Sequence, residues 1–98
     1  MNMLSYLSSV EDTFAITGRG VVLVPGVPRG EKKYFVRVGD SLEIRKPDGQ
    51  RLLTRVAGIE MCSPPSKIGI PLLLPRDVQK EDVPIGSELW HAPREEIA

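Results

Sequence analysis

Apolar residues in this chain come in short bursts divided by Gly, Pro and Asp, a pattern that predicts strands and turns in place of long helices. Residues 13–17, Thr-Phe-Ala-Ile-Thr, alternate, with Phe14 and Ile16 on one face of a half-exposed strand that ends at Gly18-Arg19-Gly20. Residues 21–24 are a continuous aliphatic run and predict a buried strand closed by a turn at Pro25-Gly26. A turn at Pro28-Arg29-Gly30 precedes a further strand over 31–38, which stops at Gly39-Asp40. Residues 41–45 follow as a strand with Leu42 and Ile44 inward. Pro47-Asp48-Gly49 is the strongest local signal: Pro presets φ for the turn and Gly accepts a positive φ where the chain reverses. It joins residues 41–46 to 50–59 as a hairpin. On the return strand Leu52, Thr54 and Val56 share a face and Arg51 and Arg55 lie outside, which leaves Leu53 as the misfit. Ser63-Pro64-Pro65-Ser66 reads as a connection. Residues 68–74 read as a strand interrupted by Pro71, which removes a ladder donor and so belongs at a sheet edge or a bulge. A turn over 82–86 leads into a closing strand over 87–91 that carries Leu89 and Trp90. Strand signals about 8 to 12 residues apart with turn chemistry between them predict a small antiparallel barrel or sandwich.

Composition adds bounds to this picture. The 98 residues allow one domain, and a 41% hydrophobic content beside 27% charged residues is that of a globular chain. Basic and acidic residues balance at 13 each, which argues against a binder that relies on neutralising many phosphates. The distribution is uneven: residues 19–55 hold nine basic and four acidic side chains, and residues 77–98 hold six acidic and two basic ones. Cys62 is the single cysteine, so no internal disulfide forms and a reducing, cytoplasmic setting is expected. One Cys and one His, His91, do not make up a zinc ligand set, and no metal or cofactor is expected. No apolar run approaches the ~18 residues of a membrane span, and the first ten residues lack an export signal, so the expectation is a soluble protein.

Catalytic patterns are sparse. Ser8, Ser9, Ser63 and Ser66 have no Gly-x-Ser-x-Gly context. No phosphate-wrapping Gly-x-x-x-x-Gly-Lys-Ser/Thr segment is present, so nucleotide hydrolysis has no anchor. Cys62 with His91 is the single thiol–base combination available, and each residue type is also common in stable cores. Glu11 and Asp12 are adjacent, and adjacent strand residues face opposite ways, so they are poorly placed to share a proton. The reading is a protein that binds and does not catalyse.

The order of the turns carries a resemblance. Residues 10–22, Val-Glu-Asp-Thr-Phe-Ala-Ile-Thr-Gly-Arg-Gly-Val-Val, resemble the opening strand of the second domain of elongation factor Tu. The likeness continues through Pro28-Arg29-Gly30, through Val38-Gly39-Asp40-Ser41-Leu42-Glu43-Ile44 and through Val56-Ala57-Gly58-Ile59-Glu60-Met61. Residues 68–74 and 82–89 resemble that domain's last two strands, so the likeness covers about residues 4–93. It implies a closed six- to seven-stranded antiparallel Greek-key barrel over 4–93, with residues 1–3 and 94–98 as loosely ordered tails. Nothing in the chain corresponds to the GTP-binding domain, so no GTP binding by this chain alone is expected.

In translational GTPases this domain helps to hold the aminoacylated 3′ end of tRNA or rests on ribosomal RNA. The resemblance therefore implies a translation-related binding module with RNA or a translation-associated protein as partner. By the same resemblance Glu11, Asp12 and Phe14 border the aminoacyl group and Glu60 meets the terminal adenosine. Two positions depart: Cys62 stands where the family has a His, and Lys67 is nearest to a family Asn. Read by themselves, Phe14 is a core side chain, Glu60 a turn-capping carboxylate, and Glu11 and Asp12 fix the first strand through backbone hydrogen bonds. Two other uses fit the altered pocket and the neutral charge. One is an adaptor or decoy that mimics the factor's domain for a protein partner. The other is a separately encoded part of a larger GTPase-like assembly, with Leu53 or Trp90 in the covered patch.

Overall fold

Alternation and turn chemistry assemble the strands, and the structure, a computed structural model, describes residues 4–28, 35–60 and 69–93. The strands are β1 (Ser5–Ser9), β2 (Asp12–Ile16), β3 (Gly20–Pro28), β4 (Ser41–Arg45), β5 (Arg51–Arg55), β6 (Gly58–Ile59), β7 (Gly69–Leu73) and β8 (Glu88–Ala92), with a single 3₁₀ turn at Lys80–Asp82. They form two four-stranded antiparallel sheets, β1-β8-β4-β5 and β2-β3-β7-β6. The all-β antiparallel class is as expected. The described ladders stay within these two sheets, and no closed barrel is traced by them.

Both sheets give their inner faces to one core. Leu42, Ile44 and Leu89 from the first sheet and Leu23, Leu72 and Leu74 from the second side are all fully buried, with Val10, Val56 and Val83 filling between them. Each such side chain contributes roughly 1.5–3 kcal/mol by leaving water. Leu52 and Thr54 of β5 point to the same side as Leu42 and Ile44, while Leu53 is 76% exposed, so the expected misfit is a side chain on the outer face. Ser8 ties the sheets together, its Oγ donating to the Gly26 carbonyl at 2.6 Å.

The β4–β5 hairpin forms as its turn chemistry requires. Gly49 has φ 92°, the Asp48 carboxylate accepts the Gln50 N–H at 2.9 Å, and Lys46 N–H donates to the Gln50 carbonyl at 2.8 Å. The return strand is shorter than expected: it ends at Arg55, and the chain then crosses to the second sheet, where Gly58–Ile59 pairs with β7.

Two expectations are corrected, the bulge alternative for Pro71 is met on the neighbouring strand, and one strand is added that the sequence reading did not predict. Pro25-Gly26 does not end the third strand. β3 runs on to Pro28 through a bulge between Leu23 and Val27, and the Val24–Pro25 bond is cis. Pro71 does not mark an edge, because β7 lies between β3 and β6. The bulge opposite it is on β3, whose Gly26 comes close against the proline, and Glu60 N–H uses the Pro71 carbonyl at 3.0 Å. Phe35, Val36 and Val38 are not in a strand: Phe35 and Val38 are exposed, and residues 38–39 turn. Finally β1, which carries no clear alternation, forms by pairing with β8 across its own bulge. The expected connection over 63–66 and the expected loose tails at 1–3 and 94–98 lie outside the described residues.

Candidate interaction face

The outer face of the second sheet gathers most of the residues singled out from the sequence. Thr13 pairs with Leu23 and Leu23 with Leu72, all buried, so this row faces the core. By the two-residue period of a strand, Asp12, Phe14 and Ile16 then face out. Phe14 pairs with Val22, Val22 with Leu73, and Leu73 with Gly58, which makes one outward row across four strands. Glu60 lies two residues beyond Gly58 and falls on this same face.

Phe14 is therefore not the core side chain its hydrophobicity suggests: it is 50% exposed, and Ile16 is 37% exposed beside it. The register decides this, because it assigns the inward row to Thr13. Gly58 leaves room for Leu73, since a Cβ there would already sit 3.2 Å from the leucine side chain. That keeps the row low and apolar between Phe14 and Glu60.

Charge on the face is paired. Arg19, in the turn after β2, reaches Glu60 with Nη2 2.5 Å from Oε1. That oxygen is buried and makes no well-angled hydrogen bond, so its partnership is ionic. The arginine side chain stays about half exposed. Asp12 accepts its neighbour Thr13's N–H at 2.8 Å, and Glu11 N–H donates to the Val24 carbonyl at 2.8 Å, so both residues also anchor the start of β2. Glu11 and Asp12 are exposed. The structure thus brings Asp12, Phe14 and Glu60 onto one face with Glu11 at its border, and Cys62 and Lys67 lie outside the described residues.

Arg19 is the residue the sequence reading missed. Its signal was its place between Gly18 and Gly20, where the chain must turn and a long side chain is free to fold back over the sheet. On its other side Arg19 borders a pocket of about 340 Å³ lined by Ala15, Val78, Arg76 and Lys80 among others.

Of the thiol–base combination, Cys62 lies outside the described residues, while His91 is buried and its Nε2 lies 2.9 Å from Asp40 Oδ2, an oxygen that also accepts the Arg37 N–H at 2.7 Å. This pair fastens the β4–β8 side of the core to the turn before β4. Among the described residues no group of three His, Cys, Asp or Glu is placed to hold a metal ion, and no helix is long and apolar enough to cross a membrane. A scan against protein families finds no family model that matches the chain.

Proposed function

We propose that this chain is a non-catalytic, translation-related binding module of the elongation factor Tu domain 2 type, its two sheets being the halves of such a barrel, and that the outer face of the second sheet engages the 3′ end of an RNA. The observation that carries this reading is the convergence of Asp12, Phe14 and Glu60, from opposite halves of the chain, on the outer face of one sheet, with Asp12 and Phe14 exposed and Glu60 half-buried.

Each side chain has a task on that face. The half-exposed Phe14 ring offers a stacking surface for a base, worth roughly 1–3 kcal/mol. Glu60 supplies carboxylate oxygens that accept hydrogen bonds from ribose hydroxyls. Arg19 neutralises Glu60 in the free protein and turns toward a phosphate when RNA is bound. Among the described basic residues of 19–55, Arg19 sits beside the second sheet, and Arg45, Arg51 and Arg55 lie on the first. Binding to a single-stranded 3′ end should weaken with salt by about 0.7 in log K per phosphate engaged as log salt rises.

The test is a fluorescence titration with a labelled acceptor-stem minihelix ending in single-stranded CCA, aminoacylated and free. Phe14→Ala and Glu60→Gln are each expected to weaken binding about tenfold, close to 1.4 kcal/mol, with unchanged near-UV circular dichroism. No binding at low salt, or equal affinity in Phe14→Ala, overturns the RNA reading. Exposed Phe14 and Ile16 on a chain of zero net charge favour a second reading, a protein partner on this same face. Nuclease-resistant recovery of one stoichiometric protein, lost in Phe14→Ala, selects that reading.

A further inference from the structure

The far side of the molecule presents a different binding feature, the free edge of β5. Two backbone hydrogen bonds bracket the β4–β5 ladder: Lys46 N–H to the Gln50 carbonyl at 2.8 Å and Val56 N–H to the Asp40 carbonyl at 2.9 Å. In an antiparallel pair the hydrogen-bonded residues recur every second position. Leu42 with Thr54 and Ile44 with Leu52 are then the bonded pairs. The N–H and C=O groups of Arg51, Leu53 and Arg55 consequently point away from β4. Among the described residues β5 pairs with β4 alone, and this row of donors and acceptors has no backbone partner among them.

Edge strands are ordinarily protected by bulges, prolines or short length, because an open row templates a further strand. β5 is a regular, bulge-free strand of five residues with no proline. Among the described residues its protection is charge alone. Arg51 and Arg55 flank Leu53 two positions to either side on the outer face, and all three are exposed. Glu43, the acid opposite Leu53 on β4, is buried and engaged by Arg45 at 2.6 Å, with Arg51 more distant at 4.0 Å. Asp48 in the hairpin turn is held by the Gln50 N–H. The Arg45 guanidinium lies over Trp90, 4.0 Å from the ring centroid, and the Trp90 ring meets Tyr6 edge to face at 5.5 Å. The cations left over at the edge are thus Arg51 and Arg55.

This arrangement selects its occupant. A second copy pairing antiparallel about Leu53 would set Arg51 against Arg55 of its partner, like charges directly opposite. A partner strand with an acid, an apolar residue and an acid at alternate positions meets each of the three side chains with its complement. We propose that the free edge of β5 docks an extended acidic segment of a partner protein, which adds to the first sheet as a fifth, antiparallel strand. This site is separate from the face of the second sheet and stands or falls independently of it.

The probe is the acetylated and amidated heptapeptide Ser-Glu-Thr-Val-Thr-Glu-Ser, with a version carrying Lys in place of both Glu and a version N-methylated at the Val amide. Binding to the full chain is read by fluorescence anisotropy, and the location by amide chemical shifts. The acidic peptide is expected to bind saturably, to shift the amides of Arg51, Leu53 and Arg55, and to lose about tenfold or more in affinity in either altered version. The doubly reversed variant Arg51→Glu/Arg55→Glu is expected to prefer the Lys peptide. All four substituted positions, two in the protein and two in the peptide, are solvent-facing, so folding is preserved. Equal binding of acidic and basic peptides, indifference to N-methylation, or no shift at these three amides overturns the proposal. So does an octamer of uridylate that shifts them when the acidic peptide does not, an outcome that assigns the edge to RNA, or dimerisation of the chain that blocks the peptide.

Discussion

At the scale of single residues, buried polar groups and glycines carry sharper consequences than the exposed charges. Asp40 is fully buried and its Oδ2 serves both the Arg37 N–H and His91. Asp40→Ala leaves both without that acceptor, and urea unfolding is expected to show a loss of about 2–4 kcal/mol, with Asp40→Asn losing less because it keeps an oxygen there. Two glycines with similar positive φ separate strain from space. Gly49, at 92°, has nothing within 4 Å of a built Cβ, so Gly49→Ala should cost only the left-handed backbone penalty of about 1–2 kcal/mol. Gly26, at 76°, would drive a Cβ into the Ile70 carbonyl oxygen and against Pro71, so Gly26→Ala should cost clearly more in the same urea unfolding measurement. Equal effects of the two would show that the β3 bulge is not tightly packed on β7. The turn role of Gly49 was legible from Pro47 and Asp48 beside it. That of Gly26 was not: Pro25-Gly26 has the composition of a turn, and only the neighbouring β7 turns it into a bulge within a strand.

At the scale of elements, strand position separates residues that look alike in sequence. Leu72 lies at the centre of the second sheet, fully buried, and Leu53 is 76% exposed on an edge strand. Leu72→Ala is expected to cost about 2–5 kcal/mol through lost transfer energy and a cavity, and Leu53→Ala to stay within about 0.5 kcal/mol of the parent. Hydrogen exchange should follow the same order, with slow amides in β3 and β7 and fast ones at Arg51, Leu53 and Arg55. Protection of these three in the isolated chain would show that the β5 edge is covered. The alternation around Leu53 already put Arg51 and Arg55 outside, so β5's outer face could be read from sequence. Phe14 could not be read in that way. Its strand alternates Thr with Phe, and hydrophobicity alone points the phenylalanine inward. Pairing with β3 inverts the assignment, and it is this inversion that leaves Phe14 exposed on the candidate interaction face.

At the scale of the whole molecule, the two sheets share one core and neither has apolar cover of its own. Val10, Val56 and Val83, outside any strand, sit in that core between the sheets. Unfolding should therefore be a single cooperative event. Trp90, the only tryptophan, lies on β8 of the first sheet, and far-ultraviolet circular dichroism reports both sheets. The two signals are expected to change with one urea midpoint, and separate midpoints would mean that the first sheet melts on its own. The charge pattern changes meaning at this scale. Within what reads along the chain as one basic stretch, folding divides the described residues Arg19, Arg45, Arg51 and Arg55 between an ion pair on the second sheet and a cation–aromatic stack and an edge strand on the first.

The amino-acid order by itself determined the class of the fold, the hairpin at Pro47-Asp48-Gly49, the inward Leu42 and Ile44, and the absence of familiar catalytic motifs. These follow from local period and turn chemistry, which act over a few residues. Tertiary structure alone decided that β3 passes through Pro25-Gly26, that Pro71 sits in a central strand, that Phe14 faces solvent, and that Arg19 meets Glu60. Each of these depends on which strand lies alongside. Register between strands distant in sequence is set by the fit of both inner faces at once, and no local window contains that information.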